Sequence, residues 1–172
     1  VTDLTSLLRF YLRHKVAELH DQNVRLEFIG DLSRFDTGLR GEIERARKLT
    51  ADNTRLTLIL ALSYGARHDM LLAAKRVAAA ALRGEIDPAA LNENDFAEHL
   101  QTASFPDPDL IVRTSGERRL SNFLLWESAY AELAFLDVMW PDFDETHFAA
   151  LMTDFAGRER RFGKRLAEAS AL

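Results

Sequence analysis

The sequence predicts an α/β fold with a mainly parallel central sheet flanked by helices. Three observations lead there. Residues 56–62 and 110–112 are apolar runs too short for typical helices, and they lack polar alternation, which is how strands of a sheet covered on both faces read. They alternate with segments of helical periodicity, so strand and helix follow one another along the chain. An arginine-bearing loop follows the second run, on the side where open α/β sheets gather their ligands.

The elements follow in order. Leu4, Leu7, Leu8, Tyr11, Leu12, Val16 and Leu19 fall at helical spacing and predict an amphipathic helix ending near His20. Val24, Leu26 and Phe28 alternate with Arg25 and Glu27, which predicts a strand closed by the Gly30-Asp31 turn. Asp36 is placed to cap a helix carrying Leu39, Ile43, Ala46 and Leu49. Residues 56–62 read as a strand buried on both sides, with Tyr64-Gly65-Ala66-Arg67 as its exit loop. Residues 69–82 are alanine-rich and helical, a shorter helix follows over 92–100, and Phe105-Pro106-Asp107-Pro108 is a loop. After the strand at 110–112 come a helix through 126–130, a strand over 133–136, a packed turn at Trp140-Pro141-Asp142-Phe143, and a helix marked by Phe148, Leu151, Met152 and Phe155.

A chain of 172 residues supports a single domain spanning 1–172. The net charge of -5 argues against a nucleic-acid binder, so any phosphate chemistry is local. With no cysteine, thiolate metal sites, disulfides and cysteine nucleophiles are excluded. No run approaches the ~20 apolar residues of a membrane span. The five histidines lack metal-ligand spacing, and no Walker loop, dinucleotide fingerprint or serine-hydrolase elbow occurs.

The candidate chemistry lies after the strand at 110–112. Arg113, Thr114, Ser115 and Gly116 leave it, and Arg119 and Ser121 return after a short loop. Ser121 or Asn122 is suited to cap the following helix, whose free N–H groups would join two guanidiniums and a hydroxyl in a phosphate cradle. The competing reading is an ion network of Arg113 and Arg119 with Glu117, Glu127 or Asp109. Glu132, before the next apolar strand, is either a metal ligand or the solvated edge of that strand, the latter being favoured by local sequence alone.

The segment DLIVRTSGERRLSNFLLWESAYAELAFLDVMWPDF closely resembles the signature block of the cis-prenyltransferases, the undecaprenyl diphosphate synthase family. HDQNVRLEFIGDLSRF, LTLILALSYGARHDM and RERRFG are similar to further blocks in the same order, so the resemblance spans essentially the whole chain. It implies that Arg113, Arg119, Leu120 and Ser121 hold the diphosphate of isopentenyl diphosphate. It also implies that Glu132 helps place Mg²⁺, and that Arg161 and Gly163 belong to a C-terminal motif reaching the neighbouring subunit of a homodimer. The implied activity is cis addition of isopentenyl units to an allylic diphosphate, usually farnesyl diphosphate, with the growing tail in an apolar tunnel. A cytoplasmic enzyme, touching membranes peripherally through its lipid product, is the setting implied.

The chain departs from the family pattern at Ile59 and Ser63, where Asn is common, at Ala66, where Gly is common, and at His68, where a bulkier residue is common. Val1 aligns just beyond the family's Asp-Gly-Asn loop, so the catalytic aspartate, the allylic diphosphate site and two sheet strands are expected upstream of this chain. On that alignment the 172 residues alone are expected to be inactive. A noncatalytic partner subunit or diphosphate-binding module is the alternative from another class, and a generic phosphate-binding α/β domain a third.

Overall fold

Alternation after Asn23 becomes strand β1 (Val24–Ile29), which buries Val24, Leu26, Phe28 and Ile29 and leaves Arg25 and Glu27 on the wetter face. The two charges satisfy each other at 2.6 Å, and Arg47 reaches Glu27 at 3.1 Å. The structure, a computed structural model, describes residues 2–158. They divide into two compact units: one runs to Pro106 and includes Ser121–Trp126, the other comprises Asp107–Leu120 and the described residues from Glu127 onward.

In the first unit the helical N-terminal segment is two helices, α1 (Thr2–His14) and α2 (Val16–Asp21), where a single helix is expected. The break at Lys15 keeps the hydrogen bond from its N–H to the Tyr11 carbonyl, 2.8 Å, and Val16 beyond it is buried beside Leu26 and Leu39. Helix α3 (Thr37–Leu49) starts where Asp36 predicts, the carboxylate accepting from the Leu39 N–H at 3.0 Å. Its Leu39, Ile43 and Ala46 pack on Leu26 and Phe28, three of the four residues expected on that face; Leu49, in the last turn, is exposed. The α3 crossover leads to β2 (Leu56–Ala61), parallel to β1 in the register Val24↔Leu56 to Ile29↔Ala61.

β2 differs from expectation in burial. Leu56 and Leu58, two residues apart and so on one face of the sheet, are both exposed, which leaves that end of the face uncovered. Beyond it run α4 (Ala66–Leu82) and the short α5 (Glu93–Ala97), which opens on a reciprocal Asn92–Asp95 capping box. At the carboxyl end of β1, Gly30 has φ +107, and a Cβ there would stand 2.0 Å from the Leu62 carbonyl oxygen. Only glycine lets the two strand ends approach so closely.

In the second unit β3 (Leu110–Arg113) and β4 (Glu132–Phe135) are parallel, in the register Leu110↔Glu132 to Arg113↔Phe135. The helix expected through 126–130 is a single 3₁₀ turn, Glu127–Tyr130. Ser121, Asn122 and Leu124 all have positive φ, which interrupts any helix before it propagates, so neither Ser121 nor Asn122 caps one in its own segment. Helix α6 (Glu145–Gly157) follows an Asp144–His147 capping box. The expected turn before it is present over Trp140–Asp142, with Trp140 stacked on Phe143 at 5.8 Å, but it is not packed into the core, since Trp140 is 71% exposed. The parallel strands and flanking helices are those of an α/β fold. Among the described residues no helix is long and apolar enough to cross a membrane.

One buried charge ties α1 to α3. Glu42 is 7% exposed and accepts from Arg13 at 2.6 Å, with Arg9 at 3.6 Å and Arg45 at 4.0 Å. The hydrogen bond from Arg13, with the positive charges of Arg13, Arg9 and Arg45, outweighs burial and holds the Glu42 carboxyl below the usual carboxylate range. A depressed folded value means that this stabilisation is present above the ordinary carboxylate range and fades as pH falls through the folded value. Glu42→Gln should therefore cost about 1–3 kcal/mol at pH 7. The deficit against the parent chain should shrink toward pH 3 in denaturant unfolding; a deficit independent of pH would contradict the charge role.

Candidate functional site

The arginine loop is built by continuing the β3–β4 ladder past its ends. The Leu136 N–H donates to the Arg113 carbonyl at 2.8 Å, the Ser115 N–H to Val138 O at 2.8 Å, and the Gly116 N–H to Leu136 O at 2.9 Å. Ser115 and Gly116, at φ 68 and 67, then reverse the chain. The Arg113 Nη1 donates to the carbonyl of Arg119, which closes the loop on itself, and the Arg119 guanidinium pairs with Glu117. Both sequence readings thus meet here. Arg113 reaches the backbone of Arg119 at a strand's carboxyl end, and Arg119 has a carboxylate partner. Arg119 remains 65% exposed, so an anion can reach it in competition with Glu117. Leu120 ends this stretch; Ser121, the next residue in the chain, belongs to the first unit.

In the first unit Ser121–Trp126 adjoins the loop leaving β2. Asn122 accepts from the first two N–H groups of α4: its carbonyl from Ala66 at 2.8 Å and its side-chain oxygen from Arg67 at 2.8 Å. Phe123 meets Tyr64 edge-on at 6.0 Å, and Trp126 meets Phe96 at 4.8 Å. Ser63, where the family pattern has Asn, sits at φ 51, a left-handed position that Asn tolerates well. Arg34 donates to its hydroxyl at 3.2 Å. Ala66, where the pattern has Gly, is buried at 1% exposure.

Glu132 is placed away from the arginines. It pairs with Leu110 at the start of the β3–β4 register, whereas Arg113 pairs with Phe135 at its end, three residues or about 10 Å further along. Strand alternation also puts the two on opposite faces. The Arg158 Nη1 donates to Glu132 at 2.9 Å, and Arg158 also holds Asp154, so its guanidinium is pushed above its ordinary value first by Glu132 and then by Asp154. Mg²⁺, implied by the resemblance, would meet here a single carboxylate already paired with an arginine. No group of three His, Cys, Asp or Glu able to hold a metal ion occurs among the described residues, which alone do not fit a self-contained Mg²⁺ centre. Arg161 and Gly163 lie outside the described residues.

Two features were absent from the sequence reading. A cavity of about 670 Å³ in the first unit is lined by Leu4, Leu8, Phe35, Ala61 and Leu62, with Thr5, Arg34, Asp36 and Ser63 as its polar members. Its signal lay in the apolar faces of two separate segments, which the sequence does not show to converge. Arg158 is the second; its signal was the basic run following α6, at a helix end that favours cations.

The family model described as putative undecaprenyl diphosphate synthase matches residues 1–163, and the chain belongs to that family. An isoprenyl transferase of Agrobacterium fabrum is 44% identical over 163 residues, 95% of this chain and 66% of that protein. Isoprenyl transferase 2 of Bradyrhizobium diazoefficiens is 42% identical over 171 residues, 99% of this chain and 68% of that one. The chain thus spans about two thirds of the length of these relatives. Among solved structures, lavandulyl diphosphate synthase from Lavandula x intermedia, in complex with dimethylallyl diphosphate, superposes with a TM-score of 0.90 at 36% identity, covering 94% of this chain and 70% of that one. A probable undecaprenyl diphosphate synthase from Campylobacter jejuni gives 0.80 at 36% identity, covering 92% and 72%.

Because Glu117 competes for Arg119, Glu117→Gln should tighten the binding of inorganic pyrophosphate. Exposed pairs contribute ~0.2–1 kcal/mol, so a gain of up to about fivefold by calorimetry is expected. Weaker binding in the variant would make Glu117 a support of the loop rather than a competitor.

Proposed function

We propose that this chain carries the isopentenyl diphosphate side of a cis-prenyl elongation site. The reaction condenses isopentenyl diphosphate with an allylic diphosphate, farnesyl diphosphate being the favoured one, toward a polyprenyl diphosphate such as undecaprenyl diphosphate. A carbon–carbon bond forms between the allylic carbon and the isopentenyl methylene, the allylic carbon–oxygen bond breaks with loss of diphosphate, and a proton leaves the isopentenyl unit. Arg113 and Arg119 hold the head group as planar multi-donor partners, the backbone at Leu120 lies in the same cradle, and Ser121 adds a hydroxyl. The observation that carries this reading is the pair of arginines folded together at the carboxyl end of β3, one of them widely exposed.

The apolar cavity of about 670 Å³ supports a place for hydrocarbon, being within the ~300–1,000 Å³ usual for ligand pockets. Mg²⁺ belongs to the reading as counter-ion of the diphosphates, with Glu132 the carboxylate proposed to meet it. Since Glu132 and Arg113 occupy opposite ends and faces of one strand pair, a homodimer is the arrangement in which Glu132 would serve a partner's site, alongside Arg161 and Gly163. A cytoplasmic location with peripheral membrane contact through the lipid product completes the proposal.

Calorimetric titration with isopentenyl diphosphate tests the cradle. Arg113→Ala and Arg119→Ala should each weaken binding at least tenfold, about 1.4 kcal/mol, with or without Mg²⁺. Glu132→Gln should weaken it only when Mg²⁺ is present. Unchanged binding in both arginine variants would remove the assignment, and an Mg²⁺-independent loss in Glu132→Gln would give that residue to the fold. For the cavity, Ala61→Phe should weaken farnesyl diphosphate about tenfold while leaving isopentenyl diphosphate unaffected; equal effects on both would place the hydrocarbon elsewhere.

A further inference from the structure

We infer that Asn122 is a positioning residue: it fastens the chain beside Ser121 to the start of α4 and so sets how Ser121 is presented to the diphosphate. This rests on the reading that Ser121 belongs to the isopentenyl diphosphate cradle, and adds to it a residue that works through its neighbour.

The start of α4 shows why an outside residue is needed. A helix leaves its first N–H groups without intrahelical partners, and a side chain at the N-cap usually takes one of them. Here the N-cap is Gly65, which has no side chain to offer. Asn122, fifty-five positions from Arg67, takes the Ala66 and Arg67 N–H groups, while those of His68 and Asp69 go to the Gly65 carbonyl at 3.0 Å each. The four donors are thereby satisfied within the protein. The N–H groups that often serve an anion are here taken by the carbonyls of Asn122 and Gly65 and by the Asn122 amide, which makes α4 an anchor for the loop.

The loop itself needs an anchor. Ser121, Asn122 and Leu124 lie at φ 47, 65 and 46, backbone that disfavours residues with a Cβ and persists where the surroundings over-determine it. Asn is among the residues that enter this region most readily, and its two acceptors at α4 use that conformation. Phe123 against Tyr64 and Trp126 against Phe96 hold the rest of the segment. The partner is shaped to match. A Cβ on Gly65 would stand 2.7 Å from the Asn122 Nδ2, so glycine is what admits the amide. Without the Asn122 side chain, the Arg67 N–H loses its acceptor and the residue after Ser121 keeps only one of its two bonds to α4, the one its backbone carbonyl accepts from Ala66.

The test is calorimetric titration of the chain with isopentenyl diphosphate, paired with thermal unfolding. Asn122→Ala should weaken binding about tenfold, as much as Ser121→Ala does. Asn122→Asp keeps an acceptor for Arg67 at a helix end that favours negative charge, and should restore binding to within about twofold of the parent. Gly65→Ala, outside the cradle, should reproduce the loss, and Gly65→Ala with Asn122→Ala should be no worse than either alone, because both remove one contact. Binding unchanged in Asn122→Ala and Gly65→Ala while Ser121→Ala is impaired overturns the positioning role. Additive losses, or Asn122→Asp as poor as Asn122→Ala, do the same. Parent-like binding in Ser121→Ala overturns the cradle reading beneath it and is recognised separately. If Asn122→Ala does not fold, Gly65→Ala and Asn122→Asp decide the matter alone.

Discussion

Parallel strand pairing is the constraint on which the rest depends. A parallel pair needs a crossover, and both of its strands end on the same side. In the first unit this brings Gly30 against Leu62 and puts Ser63 and Gly65 beside the end of β1, so the start of α4 lies where Asn122 can reach it. In the second it sets the end of β3 beside the residues after β4, and three backbone hydrogen bonds there turn the chain between Arg113 and Arg119 into a closed loop. The arginine loop and the Asn122 contact accordingly lie past strand carboxyl ends, where such sheets hold ligands.

The same pairing separates groups that the sequence sets close together. Arg113 and Glu132 are nineteen positions apart along the chain, yet the register assigns them to opposite ends and faces of β3 and β4. Glu132 is answered there by Arg158, which also takes Asp154 at the end of α6. A carboxylate so engaged is a structural ion pair in this chain, and its proposed use toward a metal requires a diphosphate or a second copy to draw it away from Arg158.

Much of the fold was legible because local chemistry and tertiary structure agree. Alternation announced β1, Asp36 announced the start of α3, and the apolar face of α3 was read where Leu39 and Ile43 are buried, whereas of the face expected on α6 only Leu151 is buried and Phe148 and Met152 are exposed. The misreadings have physical causes. Residues 126–130 carry helix-compatible side chains, but the left-handed backbone at Ser121, Asn122 and Leu124 stops the helix, and only Asn among these advertises such a conformation in sequence. The break at Lys15 was invisible because helical spacing continues across it. At the site, residue types at a strand end pointed to Arg113, Arg119 and Ser121 and left Glu132 between a metal ligand and a strand edge, while a family resemblance added Leu120 and turned Glu132 toward the metal. The capping of α4 by Asn122 was not readable, since Gly65 and Asn122 meet only after folding.

The central claim is that the loop from Arg113 to Ser121 receives a diphosphate. The most direct measurement is a nuclear magnetic resonance titration following arginine side-chain nitrogens and backbone amides as isopentenyl diphosphate is added. The account predicts that the Arg113 and Arg119 guanidinium signals and the amides from Ser115 to Asn122 move together and saturate at one concentration, while the Arg9 and Arg13 signals at Glu42 stay still. Movement at the arginines around Glu42, with Arg113 and Arg119 unmoved, would contradict it.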